Sequence, residues 1–198
     1  MSYTRGTFAA LVDAIVPETP ELEARGAEHV PGGLDVELET EIIARVNAFQ
    51  EANGVLEALG YDATPMAPVV AALLDVAAVE LLVRRRAVDG LTTPDDAFSA
   101  GPFSRLSRED RLRALRLLED DGAFARLADR FDAEQLGTIK FLASSLPILV
   151  EFVYYSETTA ADGEQRSLGW TQAGYPGPAD GYPVLLGYEV DAFEEDEY

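Results

Sequence analysis

Between Phe141 and Val150 the only polar side chains are Ser144 and Ser145, and the apolar positions circle a helix instead of forming a stripe. A helix with no wet face has to be surrounded. Phe141, Ile148 and Tyr155 share one face while Leu142, Leu146, Leu149 and Val153 cover others, so several neighbouring helices are expected to bury it. Glu151 closes the uncharged run at a length typical of a core helix, and no membrane span is expected here. Pro147 should kink or divide the helix and free the carbonyl of Ala143, with Ser144 and Ser145 the nearest side chains able to compensate. Beyond Tyr154 and Tyr155 the sequence loses both helix and strand period but carries Gly169, Trp170, Gly174, Tyr175, Pro176, Gly177 and Pro178. Residues 157–183 therefore read as a long loop, and its aromatics argue for order.

The neighbours are found upstream. Thr7 to Val16 spaces Phe8, Leu11, Val12 and Ile15 as a helix that Pro17 stops. Pro17 to Gly33 is loop with one helical turn around Leu22. Leu34 to Ala52 repeats the pattern through Leu38, Ile42, Val46 and Phe49, and its acids Asp35, Glu37, Glu39 and Glu41 crowd the first turns as a solvated, dipole-matched face. After Asn53-Gly54 a shorter turn covers Val55 to Gly60. A third helix opens at Pro68 and closes at Gly90, apolar from Val69 to Val83 except at Asp75 and Glu80. Arg84, Arg85 and Arg86 suit its negative end, and a docking patch for an acidic partner is the competing reading. A turn of helix follows Pro94. Ser107-Arg108-Glu109-Asp110 is a helix start signal, with Leu112, Leu115, Leu117 and Leu118 on the buried side of a helix from Arg108 to Glu119. Ala123 to Phe131 gives a further short helix, and Asp132 caps the central one from Ala133. The expected architecture is all-α: one domain, residues 1–198, an irregular bundle of about six helices with an acidic tail at 191–198.

Charge narrows the partners. With 36 acidic against 15 basic residues the formal net charge is −21, which opposes nucleic acid and anionic membranes. Lys140 is the only lysine. An acidic, lysine-poor surface suits molar salt, where the screening length falls to about 3 Å, so a halophile's cytoplasm is the expected setting. From Met1 to Gly6 no export signal is visible, so a cytoplasmic location is expected, with export alongside a partner as the alternative.

Chemistry has few places to reside. There is no cysteine, hence no thiolate nucleophile, no cysteine-held cluster and no disulfide. His29 is the only histidine, a poor basis for a transition-metal site. Neither a nucleophile elbow, a phosphate-cradling glycine loop nor a metalloprotease motif occurs. Glu151, set in the most apolar stretch, is the one candidate for a perturbed carboxylate. No catalytic, cofactor-binding or metal-binding residue is assigned; the alternative is a stand-alone helical bundle using carboxylates such as Glu80 and Glu151 for metal binding or catalysis. Tyr154, Tyr155, Trp170, Tyr175 and Tyr182 lie in or beside the long loop, where aromatics serve equally to pack the loop on its own core or to anchor another protein.

Three segments taken together carry a likeness. Leu11-Val12-Asp13-Ala14-Ile15-Val16-Pro17, then Leu106-Ser107-Arg108-Glu109-Asp110-Arg111, and finally Gly169-Trp170 followed by Gly174-Tyr175-Pro176-Gly177-Pro178 resemble the gluconate 2-dehydrogenase subunit 3 family. Its members are small subunits of flavin-dependent sugar and sugar-acid dehydrogenases. The resemblance implies an accessory, non-catalytic subunit that stabilises and helps deliver a large flavoprotein subunit of the glucose-methanol-choline type. FAD would reside in that partner, none in this chain, and a cytochrome subunit would take the electrons where one exists. Tyr154, Tyr155, Trp170, Tyr175, Pro176 and Gly177 are the residues expected to meet the partner. The chain differs from the family in having Ala161-Asp162-Gly163-Glu164 where a Gly-Gly-Asn run precedes the tryptophan, and in showing no twin-arginine signal.

Overall fold

The computed structural model describes residues 2–51, 65–84, 86–91, 100–119, 133–156 and 167–175, without the side chains of 49–51, 119 and 133–136. Among them are six α-helices and no strand: α1 (Tyr3–Ile15), α2 (Leu38–Glu51), α3 (Met66–Val83), α4 (Arg108–Glu119), α5 (Ala133–Tyr154) and α6 (Leu168–Ala173). A single antiparallel bridge joins Leu91 to Leu106. The expected turns at 55–60 and after Pro94, the helix at 123–131, the Asp132 cap, Tyr182, Pro176, Gly177 and the tail at 191–198 lie outside the described residues.

α1 to α5 close around one core. Phe8, Leu11 and Val12 of α1 meet Leu38, Ile42 and Val46 of α2, Val70, Leu74 and Leu81 of α3, Leu115 and Leu118 of α4, and Leu142, Leu146, Val150 and Val153 of α5. Two helices, Met66–Val83 and residues 137–154, are long and apolar enough to cross a membrane by length and composition; half of the first window and 39% of the second are buried inside the bundle.

Several boundaries shift for local reasons. α1 begins a turn early because Ser2 caps it, its Oγ accepting from the Arg5 amide at 3.4 Å. The segment after Pro17 coils into 3-10 turns at Pro20–Arg25, Ala27–His29 and Gly33–Val36, not one turn around Leu22. The expected helix from Leu34 is interrupted: Asp35 accepts from the Gly32 amide at 2.8 Å, Glu37 turns left-handed (φ 50°), and α2 starts only at Leu38. Glu39 is buried against Arg5 (2.7 Å) and so is not part of a solvated face. α3 begins at Met66, its Ala67 amide held by Asn47 Oδ1 of α2 (2.9 Å), and ends at Val83 instead of continuing to Gly90. In α4, Leu115, Leu117 and Leu118 are buried as expected but Leu112 is exposed.

The first two motif segments meet in the core. Arg111 is buried and donates to Asp13 (2.7 Å) and to the carbonyl of Ser104 (2.9 Å), while Arg108 reaches the other Asp13 oxygen (3.3 Å). Asp75 of α3 braces the same junction, accepting from the Tyr3 hydroxyl (2.6 Å) and the Phe103 amide (2.9 Å). Removing one partner from such a buried network costs more than the pair contributes, because the other charge stays buried.

Candidate functional site

α5 runs unbroken through Pro147. Ser144 Oγ donates to the Phe141 carbonyl at 3.1 Å, so it does not turn to the freed carbonyl of Ala143. Leu142, Leu146, Val150 and Val153 face the core. The opposite face keeps much of its surface exposed: Phe141 is 56% exposed, Ile148 70%, Phe152 64% and Tyr155 50%. Spaced seven, four and three residues apart, these four lie within a narrow arc and run about 21 Å along the axis. The expectation that neighbouring helices bury Phe141, Ile148 and Tyr155 is therefore corrected. The helix is apolar all round because it has two apolar faces, of which the bundle uses one.

At the C-terminal end of this stripe sits α6, where a loop was expected. Ser167 caps it, its Oγ accepting from the Trp170 amide at 3.2 Å. Gly174 ends it in the left-handed conformation (φ 65°), with its amide bonded to the Thr171 carbonyl and that of Tyr175 to the Trp170 carbonyl, a Schellman closure. Gly169 is required by proximity: a Cβ there would lie 2.5 Å from the Tyr154 carbonyl oxygen, so only glycine lets α6 ride against the end of α5.

Gln172 fastens α6 on its other side. Its Oε1 accepts from the Tyr154 hydroxyl at 2.6 Å, and its Nε2 donates to the carbonyls of Glu28 (2.9 Å) and Pro31 (3.0 Å). Three elements distant in sequence thus converge on one amide. Nothing in the residue pattern singles out Gln172, though Ser167 and Gly174 bracket a six-residue helix and are a legible signal.

The expected partner-binding residues divide. Tyr154 points inward, 1% exposed, and burial pushes its phenol up to about 12, with the neighbouring Tyr155 adding to the shift. Tyr155 and Tyr175 are exposed and Trp170 is half-buried between them. Trp170 Nε1 donates to the Tyr155 carbonyl (2.5 Å) and its ring meets Tyr175 edge-on at 4.9 Å. Tyr154 and Tyr155 are likewise edge-to-face at 5.2 Å. The aromatics therefore serve both purposes: Tyr154 packs the core, while Tyr155, Trp170 and Tyr175 extend the apolar stripe of α5.

The carboxylates considered for metal or acid–base work are placed apart from one another in role. Glu151 is exposed on the flank of the stripe, and Glu80 is buried and bonded to Arg84 at 2.5 Å. His29 lies beside Glu28 in a 3-10 turn. Among the described residues no three His, Asp or Glu side chains converge as metal ligands. Arg84 is the C-cap residue of α3 and not part of its last turn, which holds no basic residue, and its guanidinium pairs with Glu80; Arg86 lines a depression at the α3–α4 junction. No known protein family, curated protein or solved structure matches the chain.

Proposed function

We propose that this chain is an accessory subunit without catalytic activity of its own, which docks a partner protein along the exposed face of α5 and the aromatic end formed by α6. The observation that carries the reading is the stripe Phe141, Ile148, Phe152 and Tyr155, continued by Trp170 and Tyr175. Contiguous apolar surface of this kind, rimmed here by Lys140 and Glu151, is what protein interaction sites expose. Its aromatic members are the residue types that dominate interface energetics. Covering a fully exposed Ile or Phe is worth about 1.5–3 kcal/mol, so four half- to two-thirds-exposed side chains offer roughly 4–8 kcal/mol before the cost of association. The family resemblance names the partner: a flavin-dependent dehydrogenase large subunit, with FAD bound there and a cytochrome subunit as the electron acceptor where one is present. The same resemblance makes the work of this chain stabilisation and delivery.

The test is co-expression with a glucose-methanol-choline type flavoprotein, the partner class that the resemblance names. Ile148→Asp with Phe152→Ser should leave the fold intact and weaken association at least about 100-fold, equivalent to about 2.7 kcal/mol. Unchanged co-purification of the double variant rejects the docking face. Flavin or substrate turnover in the isolated wild-type chain rejects the accessory role itself.

A further inference from the structure

We infer that a second copy of this chain covers the exposed face of α5, the two helices running antiparallel about a twofold axis that passes between Leu146 and Pro147. The inference rests on the reading of this face as an interface. It adds that without the flavoprotein the face closes on itself, so that docking is an exchange of one partner for another.

Spacing selects a helix as the occupant. Gly137, Phe141, Ser145, Ile148, Phe152 and Tyr155 follow one another at intervals of four, four, three, four and three residues, within an arc of about 80°. Alternation of three and four is the spacing of a seam between two packed helices. Four of the six side chains are large and half to 70% exposed, whereas Gly137 and Ser145 are small.

The order of large and small makes the seam complementary to itself. In the antiparallel pair Tyr155 lies over Gly137 of the other copy, Ile148 over Ser145 and Phe152 over Phe141, all related by the same axis to within one residue. Ile148, the most exposed of the four, thereby enters the notch left by a serine. A parallel pair would set Gly137 on Gly137 and Ser145 on Ser145, leaving two gaps, and would align the helix dipoles unfavourably. Lys140 and Glu151 flank the seam on one side, and the antiparallel axis brings Lys140 of each copy within a turn of Glu151 of the other.

Gly137 is the second observation. Glycine weakens a helix interior relative to every residue but proline, and among the described residues no atom lies within 4 Å of a Cβ placed there. Gly169 is demanded by its own chain; Gly137 is not. A second copy supplies the demand, because its Tyr155 end, made bulky by Trp170 and Tyr175, has to approach α5 at that position.

The area suffices. Side chains of this size bury roughly 150–250 Å² each, so four that are half to 70% exposed offer about 500 Å² per copy and about 1,000 Å² across the pair, the size at which specific interfaces begin. Tyr175, 42% exposed, adds to it. The seam carries no charge, but each copy brings a net charge of −21, so pairing should strengthen as salt screens the rest of the surface.

Sedimentation velocity of the full chain at about 1 M salt, where the screening length is about 3 Å, tests the pairing. We expect a monomer–dimer equilibrium with a dissociation constant of about 100 μM or tighter, weaker in dilute buffer. Ile148→Asp, and separately Gly137→Gln, should each weaken it at least about tenfold, and Gly137→Gln should not lower the unfolding midpoint of the dilute monomer, since glutamine favours helix. Because the chain has no cysteine, Lys140→Cys mixed with Glu151→Cys should be joined by a short bifunctional maleimide, while neither variant alone is joined to itself. A wild-type chain that stays monomeric, a dimer indifferent to both substitutions, or Lys140→Cys joined to itself overturns the proposal. Co-purification with the flavoprotein reads the docking face separately. A monomeric chain that loses the flavoprotein on Ile148→Asp rejects the pairing alone; a dimer broken by Ile148→Asp that keeps the flavoprotein supports the pairing and rejects the dehydrogenase at this face.

Discussion

Replacing Gln172 by alanine should detach α6 without unfolding the bundle. The side chain removes three hydrogen bonds at once, and they are unequal. The Tyr154 hydroxyl is the costly one, because the residue is 1% exposed and would lose a 2.6 Å bond to Oε1. Removing the acceptor of a buried donor costs about 1–3 kcal/mol. The carbonyls of Glu28 and Pro31 are nearer to solvent and can be rehydrated, so each loses about 0.5 kcal/mol. The sum is about 2–4 kcal/mol, more than a six-residue helix can supply from its own hydrogen bonds, since isolated helices this short do not persist in water. Trp170 is the only tryptophan in the chain, so its emission reports on α6 alone. The expected result is a red-shifted, more quenchable tryptophan and loss of near-ultraviolet dichroism, with far-ultraviolet dichroism nearly unchanged. A cycle with Tyr154→Phe should return a coupling of at least about 1 kcal/mol, above the roughly 0.3–0.5 kcal/mol within which independent sites add. Additive effects, or a blue tryptophan in Gln172→Ala, would refute the account of how α6 is held.

Three further outcomes follow from the same packing. Asp110→Asn keeps the shape but loses the charge that Val88, Asp89 and Arg113 share; urea unfolding should show a loss of about 1–3 kcal/mol, with faster hydrogen exchange at the two amides. Tyr154 has a folded pKa of about 12 against an ordinary 10.0, so its neutral form is favoured in the fold. Its contribution is complete below pH 10 and is lost as pH rises from 10 to 12, and Tyr154→Phe should flatten that part of an alkaline unfolding profile. Finally, a net charge of −21 repels itself less when salt is added; a screening gain of 2 kcal/mol would raise the thermal midpoint by about 4–8 °C, and a midpoint unchanged between dilute and molar salt would dismiss the halophilic setting.

Much of the fold could be read from spacing because its core residues obey it. Phe8, Leu11 and Val12, and then Leu38, Ile42 and Val46, are the buried positions that a 3.6-residue period selects. Helix ends were less legible, since they depend on side chains arriving from elsewhere: Asn47 caps α3 from α2, and Asp35 and Glu37 break the start of α2 through bonds that periodicity does not register. Asp110 illustrates the same point. Its position three residues after Ser107 marks a helix start, and Ser107 Oγ does accept from its amide (3.3 Å), but its carboxylate is given to Val88 and Asp89. The candidate site was half visible: its aromatics stand out in the sequence, whereas Gln172 is one polar residue among many and acquires meaning only when Glu28, Pro31 and Tyr154 are brought to it.

The exposed face of α5 could in principle meet lipid instead of protein, and the distribution of charge decides between them. A helix lying in a membrane interface carries lysine and arginine along its polar side, where they find anionic headgroups. α5 has no such side: its other face is core, one flank carries Glu151, and Lys140 is the single cation among its described side chains. A spanning helix would need both faces in apolar surroundings, yet the bundle that covers the inner face is cross-braced by Asp13 with Arg111 and by Asp75 with Tyr3, charged contacts that would have to be broken or carried into hydrocarbon. A protein surface demands neither cations nor rearrangement, only a complementary apolar groove. Zwitterionic vesicles discriminate the two without help from charge: the wild-type chain should remain unbound, and sedimentation with them that Ile148→Asp abolishes would transfer the stripe from a protein partner to the bilayer.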